Sequence, residues 1–403
     1  MKRFAILSFL IVFVSVLPAK SQFCFSDCET CFADTAIQSH SLLFHIDDKS
    51  FFVDNEYKGE KTYGYSLPGF RLTPSLFYAL NEKISLEAGV SMLRYHGANR
   101  YPCVIYSYFP AWQAYQFLSG VHLIPYFRAS WNISPAIQLS FGNIDNQNSH
   151  LLPEPLYNVE HTFSSDPEAG VQFRLNKPHQ YLDAWLNWQS FVFANDIHQE
   201  TFTLGVNWQT KLDIVKEKLR LLVPLSLIVQ HLGGENLSGD FSVCTWSNIA
   251  AGMRLDYKHN RLISSIGADY LYYNQAGESD IMPFENGWAV YPYIELAYQK
   301  LKVKFAYYDS EDFVSLLGSP HFCNFSTNTP DLVFDRSNQF YVRATYSYDI
   351  YNGCSFDAYF QLFRQNHLTG DRPGFDKVIR DGFTSFSFGI ILNIDHSILL
   401  KHF

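Results

Sequence analysis

The chain has few charged residues, no basic cluster and only one long apolar run. Charged residues are 17% of the 403, below the quarter that is usual in soluble domains. The formal net charge is −9, and an acidic chain without a basic block is not expected to bind nucleic acid. Apart from residues 4–17, no apolar run approaches the length of a membrane-spanning helix. The hydrophobic residues, 47% of the chain, must therefore be dispersed, and their spacing predicts the fold.

The one apolar run lies at the N-terminus and has the organisation of a secretory signal. Lys2 and Arg3 precede it, and Pro18 ends it just before small residues of the kind that a signal peptidase recognises. Residues 1–21 are therefore predicted to be a signal peptide, since the run is too short to span a membrane comfortably. Cys24 follows Ser-Gln-Phe and not the small residues of a lipoprotein signal, so no lipid anchor is predicted.

Elsewhere the dominant pattern is strict alternation of apolar and polar residues. It is clearest in "FYVRATYSYDI" (340–350), and it recurs in "TFTLGVNWQTKL" (201–212) and "ISLEAGVSM" (84–92). A period of two indicates a strand with one apolar face and one polar face. The whole chain read in this way contains about sixteen such segments, many of them as long as tilted membrane strands. No amphipathic helix is predicted outside the signal.

The connections between these segments alternate short and long. The long ones lie near 97–114, 145–167, 232–241, 275–286, 311–338 and 366–382. A transmembrane barrel shows this asymmetry, with tight periplasmic turns and long outer loops, whereas a soluble all-β protein has no reason to keep it. We therefore predict an all-β fold, a transmembrane antiparallel β-barrel of about sixteen strands, within roughly 14 to 18, with both termini periplasmic. Residues 43–403 are assigned to the barrel.

Several stretches resemble a family of largely uncharacterised, porin-like outer-membrane barrels of Bacteroidota. They are "FFVDNEYKGEKTYGYSLPGFRLTPSLFY" (51–78), "LLPEPLYNVEH" (151–161), "PEAGVQF" (167–173), "LDAWLNWQSF" (182–191) and "QETFTLGVNW" (199–208). The resemblance implies an outer-membrane location and brings no catalytic residues. The terminal aromatic residue, Phe403, resembles the signal read by the barrel-insertion machinery, although "DHSILLKHF" before it alternates poorly.

Three of the seven cysteines lie together in "QFCFSDCETCFADTA", and they are Cys24, Cys28 and Cys31. A single CxxC pair without a second pair argues against zinc, so neither a metal nor another cofactor is predicted. In an exported protein such cysteines favour disulfides. Residues 22–42 are predicted to form a periplasmic segment or plug, with Cys354 in a periplasmic turn as one candidate partner. Cys103 and Cys323, in long outer loops, are a second candidate pair.

Two sets of residues are candidates for ligand contact. The loop "ANRYPCVIYSYFPAWQAYQF" (98–117) is strongly aromatic, and it offers a stacking platform or a rim contact with lipopolysaccharide through Tyr106, Tyr108 and Trp112. The polar rows of the strands are expected to line the lumen, either as a transverse field at a constriction or as a plain salt-bridged wall. These lumen candidates are Arg71, Glu87, Arg128, Arg174, Asp183, Lys211, Arg220, Arg254, Asp269, Glu295, Arg343 and Asp357.

The predicted function is a porin-like channel for passive or facilitated diffusion of small polar solutes. The alternative is a non-conducting barrel that serves as an interaction or accessory subunit of a larger envelope complex. The expected partners are outer-membrane lipid, lipopolysaccharide and the insertion machinery, and the oligomeric state is left open. For hydrolysis, His122 and His198 lack a neighbouring nucleophile at a spacing that specifies a catalytic set. The chain is therefore predicted not to be an enzyme.

Overall fold

The structure is a computed structural model, and it describes residues 38–58, 61–96, 121–191, 199–233, 243–277, 281–329, 331–375 and 377–403. The predicted signal peptide, Cys24, Cys28, Cys31, Cys103 and the aromatic loop residues Tyr106, Tyr108 and Trp112 lie outside these ranges. Their predicted roles therefore stay predictions.

Sixteen long strands close into one antiparallel barrel, which confirms the predicted fold class. Each strand pairs with its neighbours in sequence, and the last strand pairs with the first. The barrel strands are β1 Ser41–Glu56, β2 Tyr65–Ala79, β3 Ile84–Tyr95, β4 His122–Ser134, β5 Ile137–Asn143, β6 Ala169–Lys177, β7 Gln180–Ser190, β8 Glu200–Val215, β9 Leu219–Gly233, β10 Cys244–His259, β11 Leu262–Ala276, β12 Asn286–Tyr298, β13 Leu301–Glu311, β15 Arg336–Tyr351, β16 Cys354–Gln365 and β19 Thr384–His402.

The outer surface of the barrel is apolar. On β4, Leu123, Phe127 and Trp131 are 58%, 50% and 46% exposed, while the polar residues between them face inward. Large exposed apolar side chains of this kind recur on strands all round the barrel, and they are stable only against lipid. Closure leaves no unpaired strand edge in hydrocarbon. The chain is therefore an outer-membrane β-barrel.

The C-terminal strand is longer than the sequence pattern suggests. The stretch "DHSILLKHF" alternates poorly, but β19 continues through it to His402. This extension is held by pairing with the start of β1, where Ser41 lies opposite His402. The pattern fails here because residues 395–402 are exposed on both faces of the sheet, so neither face selects apolar side chains.

Two long connections fold into the barrel and do not extend outward. The first inner loop is residues 144–168, with short 3-10 helices at Ser149–Leu151 and Val159–Thr162. The second inner loop is residues 312–329, with a 3-10 helix at Pro320–Phe322. An isolated bridge between Tyr157 and Leu317 joins the two loops.

Three short strands form a separate small sheet at the long-loop end. They are β14 Val333–Phe334, β17 Leu368–Asp371 and β18 Val378–Arg380, in the order β14-β17-β18. Within the described ranges, no helix is long and apolar enough to cross a bilayer.

The inner loops pack against an apolar lining in the long-loop half of the barrel. Inward side chains such as Trp185, Tyr291 and Tyr341 form one buried cluster with Leu156 and Phe322 of the loops. Packed side chains of the described residues therefore fill this half of the barrel. The physical reason is that these inward rows carry aromatic rings, which gain more from packing on a loop than from facing water.

Candidate functional site

A cavity of about 290 Å³ lies at the long-loop end, between the barrel wall and the first inner loop. We call it the outer cavity. Its wall comes from β4, β7 and β8, and its floor comes from the two inner loops. Its lining includes His122, Ser165, Asp166, Asn187 and Trp188.

His122 and Asp166 lie within ion-pair distance of each other at this cavity. His122 begins β4, and Asp166 comes from the end of the first inner loop. Their Nδ1 and Oδ1 atoms are 2.9 Å apart, and the two side chains keep exposures of 19% and 12%. A carboxylate beside one ring nitrogen orients an imidazole for proton exchange. This pair is an arrangement suited to general-base chemistry.

The backbone that carries Asp166 is held by the barrel wall. Arg71, on β2, donates to the carbonyl oxygens of Thr162 at 2.8 Å and Ser165 at 3.2 Å. The Tyr95 hydroxyl donates to the carbonyl oxygen of Ser164. Arg71 was predicted to line a constriction, but the structure makes it an anchor for this loop. Such bonds to buried carbonyl groups fix the position of the next residue, Asp166.

The next histidine in the same loop is unsuited to act as a base. His161 is buried, and its Nε2 donates to the carbonyl oxygen of Leu317 at 2.8 Å. Burial lowers the pKa of His161 to about 4, because a buried imidazole is penalised for carrying charge. Its ring is therefore neutral at ordinary pH, and it ties the first inner loop to the second.

His150 is the centre of a buried cluster that locks the first inner loop to β7. Its Nδ1 lies 2.9 Å from Asp183 and its Nε2 lies 3.3 Å from Glu168, and its ring stacks on Trp185 at 3.6 Å. Burial by itself lowers the pKa of His150, but the two carboxylates outweigh it and raise that pKa to about 9. Asn207 on β8 donates to the His150 carbonyl oxygen at 2.6 Å. His150 is therefore a structural cation.

The stretches that carry the family resemblance converge on this cluster. Tyr157, from "LLPEPLYNVEH", donates to Glu168, from "PEAGVQF", at 2.7 Å. Trp185 comes from "LDAWLNWQSF", and Gly205 from "QETFTLGVNW" lies under its ring. A Cβ at Gly205 would overlap the Trp185 indole, so this close approach requires glycine.

A second cavity of about 360 Å³ lies on the other side of the first inner loop, toward the short turns. We call it the lower cavity. Its wall is charged, because Arg254, Asp269, Glu295 and Arg343 of the predicted lumen set all line it. Glu154 of the first inner loop enters from above, and Lys304 donates to its Oε1 at 2.8 Å.

The remaining lumen candidates also lie on inward rows but do not gather at one site. Glu87 accepts from Ser75 at 2.6 Å, and Arg128 donates to the carbonyl oxygen of Asn143 at 2.8 Å. Three of the others form pairs: Arg174 with Asp145, Asp183 with His150, and Arg220 with Asp213. Lys211 is buried, and Asp357 accepts a hydrogen bond from Asn393. A single constriction built from all twelve residues is therefore not what the structure shows.

Cys323 and Cys354 are free thiols among the described residues. Cys323 is buried in the second inner loop, where burial raises its pKa to about 12. Cys354 begins β16 and Cys244 begins β10. The predicted disulfides of Cys323 and Cys354 each require a partner outside the described residues. Within the described ranges, no group of three or more His, Cys, Asp or Glu side chains is arranged to hold a metal ion.

Sequence reasoning missed the acidic residues of the first inner loop. No sequence periodicity distinguishes Asp166, Glu168 and Glu154 from carboxylates of solvent-exposed loops. Their only signal was that "LLPEPLYNVEH" and "PEAGVQF" belong to the family resemblance, while other long connections do not. The sequence did not connect His122 with Asp166, because the two residues are 44 positions apart.

The chain is similar to solved outer-membrane proteins. OmpT of Vibrio cholerae is 10% identical, over 90% of this chain and 100% of that one, with a TM-score of 0.44. OccK8 (OprE) of Pseudomonas aeruginosa is 10% identical over 91% and 100%, with a TM-score of 0.46. OprD of Pseudomonas aeruginosa is 10% identical over 93% and 98%, with a TM-score of 0.45. No curated protein matches the chain.

A family model described as "Lipid A 3'-O-deacylase-type" matches residues 34–403. This description is that of an enzyme family, so the prediction that the chain is not an enzyme is wrong. The predicted origin in Bacteroidota is untested and stays a prediction. The match runs from before β1 to the last residue, and it therefore includes the outer cavity and both inner loops. The chain belongs to the lipid A 3'-O-deacylase-type family.

Proposed function

We propose that this barrel hydrolyses an acyl ester of a lipid A-type glycolipid at the outer cavity. His122 is the general base, and Asp166 orients it. The observation that carries the proposal is the 2.9 Å contact between His122 Nδ1 and Asp166 Oδ1 in a cavity at the long-loop end of the barrel. The family description names the same class of substrate.

The chemistry needs one water molecule and one proton acceptor. With Asp166 beside Nδ1 of His122, we assign to Nε2 the proton that comes from water. The water oxygen bonds to the ester carbonyl carbon, and the negative charge moves to the carbonyl oxygen. When the bond to the sugar oxygen breaks, that oxygen takes the proton from Nε2. The products are a fatty acid and a free hydroxyl group.

The cavity also offers a donor for the developing oxyanion. Asn187 lines the outer cavity, and its Oδ1 accepts from the Ala169 N–H at 3.0 Å. Its oxygen is therefore engaged, and its NH₂ group is the donor that we assign to the carbonyl oxygen.

The position of the cavity suits a lipid substrate. Trp188 borders the cavity, and it is also 40% exposed on the apolar outer surface, where it stacks on Phe202. Leu123, next to His122 in β4, is 58% exposed on the same surface. An acyl chain in the outer leaflet can therefore lie on these side chains while its ester reaches the polar cavity.

The test compares variants of the full-length protein reconstituted with lipid A-bearing vesicles. Released fatty acid is measured by mass spectrometry. His122→Ala is expected to lower kcat by about 10³-fold and Asp166→Asn by about 10²-fold, the range for loss of a general base or its orienting group. His45→Ala is the matched control, because His45 pairs with Asp395 at 3.9 Å at the opposite end of the barrel. Full activity of His122→Ala would refute the proposal, as would the absence of any acyl release by the wild type.

Passage of small polar solutes is a second candidate function. The observation that favours it is the charged lower cavity, which leads inward from the short-turn end. The packing of both inner loops in the upper half disfavours free diffusion. Any passage would therefore require one of these loops to move.

A further inference from the structure

The lower cavity contains a row of charged residues at matching heights on neighbouring strands. Strand register places Asp256 opposite Ser265, and Ser265 opposite Glu295. It then places Glu295 opposite Lys304, and Lys304 opposite Arg343. The row therefore begins with an acid on β10 and ends with a base on β15, roughly 19 Å away along the sheet, at about 4.8 Å for each of four steps.

The inner members of this row satisfy one another. Arg254 joins Asp256 and Glu295, at 2.6 and 3.2 Å. Lys304 joins Glu295 at 3.6 Å and Glu154 at 2.8 Å. The ends of the row are paired as well, since Asp256 contacts Arg254 through Oδ1 and Arg343 lies 3.8 Å from Glu154, but each keeps one further polar atom.

Buried polar atoms at both ends have no partner among the described residues. On the acidic side, Asp256 is fully buried and its Oδ2 accepts no hydrogen bond. Asp269 is 7% exposed, and none of its described neighbours donates to it or pairs with it. On the basic side, the Nε of Arg343 donates to no described acceptor. Buried groups of this kind are rare, because each costs free energy unless a water molecule or a ligand satisfies it.

We propose that the lower cavity binds a short zwitterionic peptide from the short-turn side. Its ammonium group is held by Asp269, and its carboxylate is held by Arg343. Ala297 precedes the β12–β13 turn and Lys302 follows it, and both residues line the cavity. The mouth of the cavity therefore faces the short-turn end. A peptide of about two to four residues is about 7 to 14 Å long at about 3.4 Å per residue. A cavity of about 360 Å³ suits a peptide of that size.

The charges decide between this ligand and a neutral sugar. Four acidic and four basic side chains line the cavity, namely Glu154, Asp256, Asp269, Glu295, Arg254, Lys302, Lys304 and Arg343. A neutral polyol would leave the charges of Asp269 and Arg343 unmatched, whereas a zwitterion matches both. The room for Asp269 comes from Gly252 on β10, where a Cβ would overlap its carboxyl oxygen.

The experiment is calorimetric titration of the full-length protein in detergent with uncapped trialanine. The matched probe is the same tripeptide acetylated at its N-terminus and amidated at its C-terminus, and maltose represents a neutral polyol. We expect trialanine to bind, and capping of both ends to weaken binding by at least about ten-fold, the loss of a hydrogen bond to a charged group. Equal binding of the capped peptide, tighter binding of maltose, or no heat at millimolar trialanine would overturn the proposal.

Two nearly isosteric variants test the assigned residues. Asp269→Asn and Arg343→Gln are each expected to weaken trialanine binding by about ten-fold. Asp357→Asn is the control, because Asp357 is an inward carboxylate on β16 that does not line the cavity. Heat-modified mobility on a gel checks that each variant is a folded barrel. Should Arg343→Gln fail to fold, Arg343→Lys keeps the charge but loses the Nε donor, and it is expected to bind more weakly. Binding by the folded variants equal to that of the control would contradict the assignment.

Discussion

His150 and His122 show how burial separates a structural histidine from a chemical one. His150 is fully buried, and both of its ring nitrogens are occupied by carboxylates. A ring in that state holds its proton and cannot take another from a substrate. His122 has its Nδ1 2.9 Å from one carboxylate and keeps part of its side chain exposed at a cavity. The residue type is the same, and the surroundings decide the role.

The raised pKa of His150 predicts a pH-dependent contribution to stability. The carboxylates of Asp183 and Glu168 raise that pKa from 6.5 to about 9. The contribution is therefore fully present below about pH 6.5 and is lost as the pH rises through 9. We expect His150→Gln to be less stable than the wild type at low pH, and this difference to shrink at high pH. Thermal unfolding followed by circular dichroism measures it.

The comparison of wild type with His150→Gln at each pH removes the effect of every other titrating group. Lys61, whose pKa burial lowers to about 7, changes stability in the opposite sense, since its folded form resists protonation. Lys61 is present in both proteins and cancels in the subtraction. A difference in stability that is constant from low to high pH would show that His150 is not held as a cation.

At the scale of elements, the first inner loop is the part on which function depends. It carries Asp166 and Glu168, and it separates the outer cavity from the lower cavity. It is fastened to β1 and β2 on one side of the barrel and to β7 on the other. The barrel strands act as a rigid frame, and the loop places the chemistry within that frame.

Arg71 is the anchor whose loss tests this arrangement. Arg71→Met removes the donors to the carbonyl oxygens of Thr162 and Ser165, so Asp166 is held less accurately against His122. We expect kcat for acyl release to fall by about ten-fold with KM little changed, because small misplacements of catalytic groups are costly. The measurement is steady-state release of fatty acid by the purified barrel.

Arg220→Met is the matched control for Arg71. Arg220 is also an inward arginine, but it pairs with Asp213 near a short turn. Its loss should leave kcat unchanged. An equal fall in kcat for both variants would mean that any inward arginine affects the fold, and Arg71 would then have no specific positioning role.

For the whole molecule, the two inner loops decide whether a barrel of this width conducts. Sixteen-stranded barrels are wide enough for an aqueous channel, but here one buried cluster joins both loops to the wall. We expect the wild type to give little or no steady conductance in planar bilayers. Replacement of residues 312–329 by a short glycine-serine linker should open ohmic channels, since the second inner loop supplies Phe322 and Leu317 to that cluster. Large steady channels from the wild type would contradict this expectation.

Strand number, strand position and the direction of each face were predictable from the chain alone. "TFTLGVNWQTKL" became part of β8, with Leu204 and Trp208 exposed on the outer surface and Thr203 and Asn207 buried inside. The prediction succeeds because successive side chains of a strand face lipid and lumen in turn. The resulting alternation of apolar and polar residues is visible in a short stretch of sequence. The prediction fails where that alternation ends, as in the last eight residues of β19.

The sequence by itself determined a closed barrel with an apolar outside and long loops at one end. Only the tertiary structure decided that two of these loops turn inward, and that His122 meets Asp166. Loop residues carry no period, and their positions depend on contacts between distant parts of the chain, such as Arg71 with Ser165. Each such contact joins residues that are far apart in sequence, so a short stretch of sequence contains no sign of it.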